Sequence, residues 1–172
     1  MKFFFKKIIF FFLLIGISEA NNNVKFVDIN FIVNNSISGK NLNEIIEKKN
    51  KKVVSELNKI RDELKIKKDK IVAQKNILKK DELENLIKEY EKEVKVFNEI
   101  KKKKTDEFNN FNIKSKKKII DLLNPLITNY LKKESIQILL QKDKIIFGDD
   151  KLNITNDILE LFDDKYKKIK FE

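Results

Sequence analysis

The chain has 172 residues, with 38 Lys plus Arg against 27 Asp plus Glu and a formal net charge of +11. It contains no cysteine and no histidine, which excludes disulfides, thiolate nucleophiles, thiolate or imidazole metal sites and the usual general base near neutral pH. Three glycines and one proline leave room for long uninterrupted elements, and a chain of this size suits one domain with a modest core.

Lys2, Lys6 and Lys7 make a positive start, residues 8–17 (IIFFFLLIGI) are a short apolar run, and Ser18-Glu19-Ala20 offers small residues at the two positions a signal peptidase reads. This is the pattern of a secretory signal cleaved after Ala20. A retained membrane anchor needs roughly 20 apolar residues, and Lys6 and Lys7 interrupt the Phe-rich start. Loss of three Lys and Glu19 lowers the charge from +11 to +9.

Residues 24–29 (VKFVDI) read as a strand and residues 34–39 (NNSISG) as a turn. From Leu42 the pattern becomes helical. Ile46, Val53, Leu57, Ile60, Leu64, Ile71 and Leu78 fall on 3-4 spacing, with Asn50, Lys67 and Gln74 filling the remaining seam positions. Leu83, Ile87, Tyr90, Val94 and Phe97 continue the rule, followed by Lys101, Lys104, Phe108 and Phe111. The phase is lost between Asn76 and Glu82, where Asp81 with Glu84 three residues on resembles a helix N-cap. A reversal there gives an antiparallel hairpin with arms on the order of 50–60 Å. The competing arrangement is one continuous helix in a parallel coiled coil, and the polar break favours the hairpin.

Residues 119–127 (IIDLLNPLI) are apolar on more than one face, as a helix end entering a packed base is. Pro125 predicts a kink or restart at Asn124. Residues 135–141 and 144–147 read as two strands, and Thr155 reads as the cap of a closing helix whose apolar contacts are Ile158, Leu159 and Phe162. The fold class is α+β, mostly α: a hairpin arm over residues 42–118 on a small strand-containing base formed by residues 24–41 and 119–172. Three strands leave open edges that association of several copies would cover.

The charge is concentrated on the hairpin. Residues 42–122 hold 24 Lys plus Arg against 16 Asp plus Glu, net +8, while residues 123–172 hold nine of each sign. The densest blocks are Lys67-Lys68, Lys79-Lys80, Lys116 to Lys118 and the run Lys101, Lys102, Lys103 and Lys104. Any one block reads as a solvated helix face; the arm as a whole attracts acidic partners. Lys, Asn, Ile and Phe are abundant together, a pattern that A- and T-rich coding produces without functional pressure, so charge alone does not specify a polyanion.

The opening VKFVDIN, the charged hairpin, the segment SIQILLQKDKIIFG and the closing NITNDILELF together resemble the Skp/OmpH family of periplasmic chaperones. The likeness lies in the order of elements over nearly the whole mature chain. The closing piece is similar to the family's Asp-Ile-Thr-x-x-hydrophobic signature, with Asn153 in place of the Asp, and Asp28 falls in the strand-end Val-Asp pattern. The resemblance implies a prefoldin-like, jellyfish-shaped homotrimer whose bases form a β-barrel-like body and whose arms enclose a cavity. Unfolded outer-membrane β-barrel proteins are held there after export, without ATP or any cofactor.

On this reading Val27, Ile29, Leu122, Leu126, Ile138 and Leu140 form the base and oligomer core, and the lysines of the first, second and fourth blocks form the basic arm surface. Phe97, Phe108 and Phe111 close the hairpin rather than face a client. Acidic lipid or lipopolysaccharide is a further partner the resemblance raises, without assigning it a position. Arg61 is the only arginine, which weakens any bidentate guanidinium site. Two other functions fit the pattern: an exported coiled-coil spacer of the envelope, and an exported polyanion binder with steep salt dependence. Export argues against nucleic acid as the normal partner. No nucleophile–base pair, phosphate loop or ligand cluster is present in the sequence, so no enzymatic activity is expected.

Overall fold

The computed structural model describes residues 24–171; the secretory signal read at residues 1–20 lies outside them. The elements are β1 (Val24–Val27), α1 (Ile29–Asn35), α2 (Ile37–Gln74), α3 (Lys80–Lys133), β2 (Ile138–Gln141) and α4 (Thr155–Lys165), with 3-10 turns at Lys142–Lys144 and Asp150–Leu152.

The opening strand is shorter than its β-branched run predicts. Asp28 ends it by accepting a bond from the Phe31 N–H at 2.8 Å, which starts α1. The predicted turn over residues 34–39 is a corner confined to Ser36. Its side chain accepts from Gly39 N–H at 3.0 Å and caps α2, which therefore begins at Ile37 rather than Leu42. The corner is tight enough that a Cβ on Gly39 would lie 2.0 Å from the Val33 carbonyl oxygen, so glycine is required by close approach.

α2 and α3 form the antiparallel hairpin, with residues 75–79 as its tip. At about 1.5 Å per residue α2 spans about 57 Å and α3 about 80 Å, so the lower part of α3 runs on into the base. Lys79 occupies the N-cap position of α3 and makes no side-chain cap bond. Asp81, predicted as the cap, instead lies with Glu82 in the first turn, where carboxylates face the positive end of the helix dipole. The predicted restart at Asn124 does not occur: α3 is continuous through Pro125. Ile119, Leu123 and Ile127 recur every four residues and are all buried; their packing outweighs the one backbone bond that proline, on the exposed side, cannot make. α3 closes in a Schellman turn, with Ile136 N–H to Leu131 O at 2.9 Å and Ser135 N–H to Lys132 O at 3.4 Å. Ser135 takes φ of 53° there, a left-handed position usually given to glycine.

The base holds one two-stranded parallel ribbon, with Val24 opposite Ile138 and Val27 opposite Gln141. Residues 144–147, predicted as a further strand, form no ladder: Ile146 and Phe147 project into solvent. The core lies beneath the ribbon and between the helices. Phe162 and Ile158 of α4, Ile32 of α1, and Ile119 and Leu123 of α3 have no exposed surface, and Leu42 of α2 is almost as fully enclosed. Burying one such side chain contributes roughly 1.5–3 kcal/mol, so this cluster accounts for much of the stability of the base.

Candidate functional site

The arm is built differently from the base. Beyond the hairpin root, Leu64 and Phe111 are the buried apolar side chains among the described residues, and each keeps a little exposed surface; Val53, Leu57, Ile60, Ile71, Leu83, Tyr90, Val94, Phe97 and Phe108 are half-buried along the interface. The predicted seam on α3 is kept at Leu83, Tyr90, Val94, Phe97, Lys104, Phe108 and Phe111 and departs from the prediction at two positions: Ile87 is exposed while Leu86 is half-buried toward α2, and Ile100 is half-buried while Lys101 is exposed.

Two cross-arm ion pairs fill seam positions. Lys67 Nζ meets both carboxylate oxygens of Glu93 at 2.5 and 2.7 Å, and Lys104 Nζ meets Glu56 at 2.5 Å. The bond from Lys104 holds the Glu56 carboxyl below the usual carboxylate range. Lys49 sits over the Phe111 ring, 4.4 Å from its centroid, a cation–π contact at the lower end of the arm. Between the ion pairs, Ile60, Leu64, Val96, Phe97 and Ile100 border an interhelical cleft of about 370 Å³. The helices are thus held together by scattered contacts rather than a dense core.

Of the lysines read from the sequence as arm surface, Lys68, Lys79, Lys80, Lys101, Lys102 and Lys103 are exposed. Lys67 and Lys104 are engaged across the seam instead. Aliphatic side chains are interleaved with them: Val54, Ile66, Val72, Ile77, Val96 and Ile113 are each at least 47% exposed. Sequence reading passed these over because they fall off the seam. Their signal is apolar residues at positions a solvated charged helix would fill with polar ones.

In the base, Val27 is buried, while Ile29, Leu122 and Leu126 are half-buried against the core. Ile138 and Leu140, by contrast, are 51% and 42% exposed and lie outside the buried core. The two segments read as signatures meet. Asp28 N–H donates to Thr155 Oγ1 at 2.8 Å, and that hydroxyl donates to Asn153 Oδ1 at 2.6 Å. Asn153 Oδ1 also accepts from Thr155 N–H at 3.0 Å, so the amide oxygen supplies the acceptor an aspartate would supply. Thr155 is therefore not the cap predicted for it; Ile154 holds that position and its N–H bonds to Phe26 O at 2.9 Å. Nearby, Tyr130 donates to Asp157 at 2.8 Å, and burial together with that carboxylate raises its pKa to about 12.

Among the described residues no group of acidic side chains is arranged to hold a metal, and no helix is long and apolar enough to cross a membrane.

A basic, loosely packed antiparallel hairpin on a small base closed by a parallel ribbon defines an α+β, mostly α class of arm-bearing protein. Residues 23–162 match the family model for outer membrane protein (OmpH-like), and the chain belongs to that family. The fold is shared with the crystal structure of a candidate outer membrane chaperone (OmpH-like) from Caulobacter crescentus CB15, at a TM-score of 0.78 and 18% identity over 90% of this chain and 92% of that one. No curated protein matches the sequence.

Proposed function

We propose that the chain is an ATP-independent periplasmic holdase: it binds unfolded outer-membrane β-barrel proteins after export and prevents their aggregation before assembly. The observation that carries this reading is the hairpin itself, in a chain of the OmpH-like family. Its excess positive charge and its off-seam aliphatic groups are displayed together on a surface with no enclosed pocket. Such a surface engages many extended acidic chains weakly and without sequence preference, and several arms acting on one client multiply that affinity.

Association into a homotrimer is part of the proposal. Ile138 and Leu140 lie on β2, which has a paired strand on one side only among the described residues, and Ile146 and Phe147 follow it almost fully exposed. Taking each such side chain from water contributes roughly 1.5–3 kcal/mol, and a paired edge removes a site for unspecific strand addition. The signal pattern at residues 1–20 supports delivery to the periplasm. The exposed lysines also make acidic lipid or lipopolysaccharide a second class of contact for the arm.

The test is light scattering from an unfolded outer-membrane β-barrel protein diluted out of denaturant, with and without mature residues 21–172 and without nucleotide. Suppression near one trimer per client is expected. Unchanged aggregation at several-fold excess of the folded protein sinks the reading and leaves the envelope-spacer function as the better one.

A further inference from the structure

We propose that residues 166–171, which follow α4, are a clasp that fixes the angle at which the hairpin leaves the base. Both helices of the arm are held at their roots from this end of the chain. On α2, the Ser38 hydroxyl donates to Tyr166 O, next to the bond by which α4 itself holds the same root, Ile37 N–H to Asp163 Oδ1 at 2.8 Å. On α3, Lys118 Nζ donates to Lys170 O at 2.9 Å. Between these anchors Ile169 is buried in the same cluster as Leu42 and Ile119, the side chains at the two roots, and Phe171 packs against that cluster. The family match ends at residue 162, so the clasp lies beyond it.

The geometry gives this segment leverage. The arm has few buried seam residues of its own, so its direction is set where it meets the base. A rotation of about 10° at the root of a helix about 57 Å long moves its tip by about 10 Å. A clasp bonded to both roots resists that rotation and resists separation of α2 from α3. Releasing it frees the arm while the core formed by Phe162, Ile158, Ile32 and Leu123 stays intact. Faster exchange of a held client on release rests on the holdase reading; the mechanical role does not.

The experiment compares hydrogen exchange in three proteins: mature residues 21–172, the same chain ending at Lys165, and Ile169→Ala. The expected result is exchange faster by roughly tenfold in residues 37–46 and 111–119 of both variants, with β1 and α4 unchanged. Unchanged exchange at both roots overturns the clasp. If the shortened chain loses protection everywhere, Ile169→Ala decides: acceleration confined to the roots supports the clasp, and acceleration throughout the base, or none, overturns it. Dissociation of a labelled unfolded β-barrel client is measured in parallel and is expected to speed up in both variants. An intact chain that never retains the client removes the holdase reading, while the exchange data still decide the clasp.

Discussion

Thr155 joins three parts of the base through one hydroxyl. Its oxygen accepts from the Asp28 N–H that ends β1 and its hydroxyl donates to Asn153 Oδ1, so the start of α1 and the start of α4 are fixed to each other. Thr155→Ala leaves that N–H partly buried without an acceptor, at a cost of about 1–2 kcal/mol. A lower urea midpoint with an unchanged slope is the expected result, and Thr155→Ser, which keeps the oxygen, recovers most of the loss. Both partners were legible as local patterns, the Val-Asp strand end and the Asn-Ile-Thr opening of a helix. Their bond was not, because it spans 127 residues and a linear pattern carries no record of such a meeting. Ser36 differs in being local: its turn-like neighbours Asn34 and Asn35 lie inside α1, and its own hydroxyl caps the next helix, so a polar run that reads as a loop is only a one-residue corner.

At the scale of elements, the hairpin was legible almost entirely, since apolar spacing over ten turns is a strong signal. Two single positions on α3 differ, where Leu86 and Ile100 take the place of the expected Ile87 and Lys101 while the seam on either side holds. Pro125 misled for the opposite reason: a local rule about one backbone donor gave way to packing by Ile119, Leu123 and Ile127. Residues 144–147 have strand composition yet pair with no strand among the described residues, and composition does not state whether a partner exists. The contrast between arm and base sets a testable difference in stability. Leu64→Ala removes the most buried aliphatic of the middle arm and costs about 2 kcal/mol, the low end for such a change, because the neighbouring cleft lets the site relax. The expected signature is faster hydrogen exchange around residues 57–67 and 93–104 with the urea midpoint of the base unmoved. Phe162→Ala, at about 3–5 kcal/mol, is expected to lower that midpoint directly. Equal effects of the two substitutions on the base would contradict the separation.

For the whole molecule, the distribution of charge makes a prediction about salt. Residues 42–122 carry net +8 and residues 123–172 are balanced, so attraction for an acidic unfolded chain resides on the arm. Raising ionic strength shortens the screening length from about 10 Å at 0.1 M to about 3 Å at 1 M. Affinity for an acidic client, read by fluorescence anisotropy, is expected to fall at least about tenfold over that range, whereas a neutral client of equal length should change little. Salt-independent binding would place the recognition in Ile66, Val72, Ile77 and Val96 alone.

The parallel pairing of Val24 with Ile138 also imposes an order in time. The two helices of the arm are joined by the five residues 75–79 and meet across a short loop, which closes quickly. The ribbon, by contrast, joins the first described segment to residues 138–141, and the bonds that tie the two ends of the base together span 126 to 128 residues. A chain made from its N-terminus therefore presents β1 with its edge unpaired until almost all of the protein exists, and the base closes last, after the largest loss of chain entropy. Until that closure the free edge of β1 is open to unspecific strand addition, so the protein is most vulnerable to aggregation during its own folding.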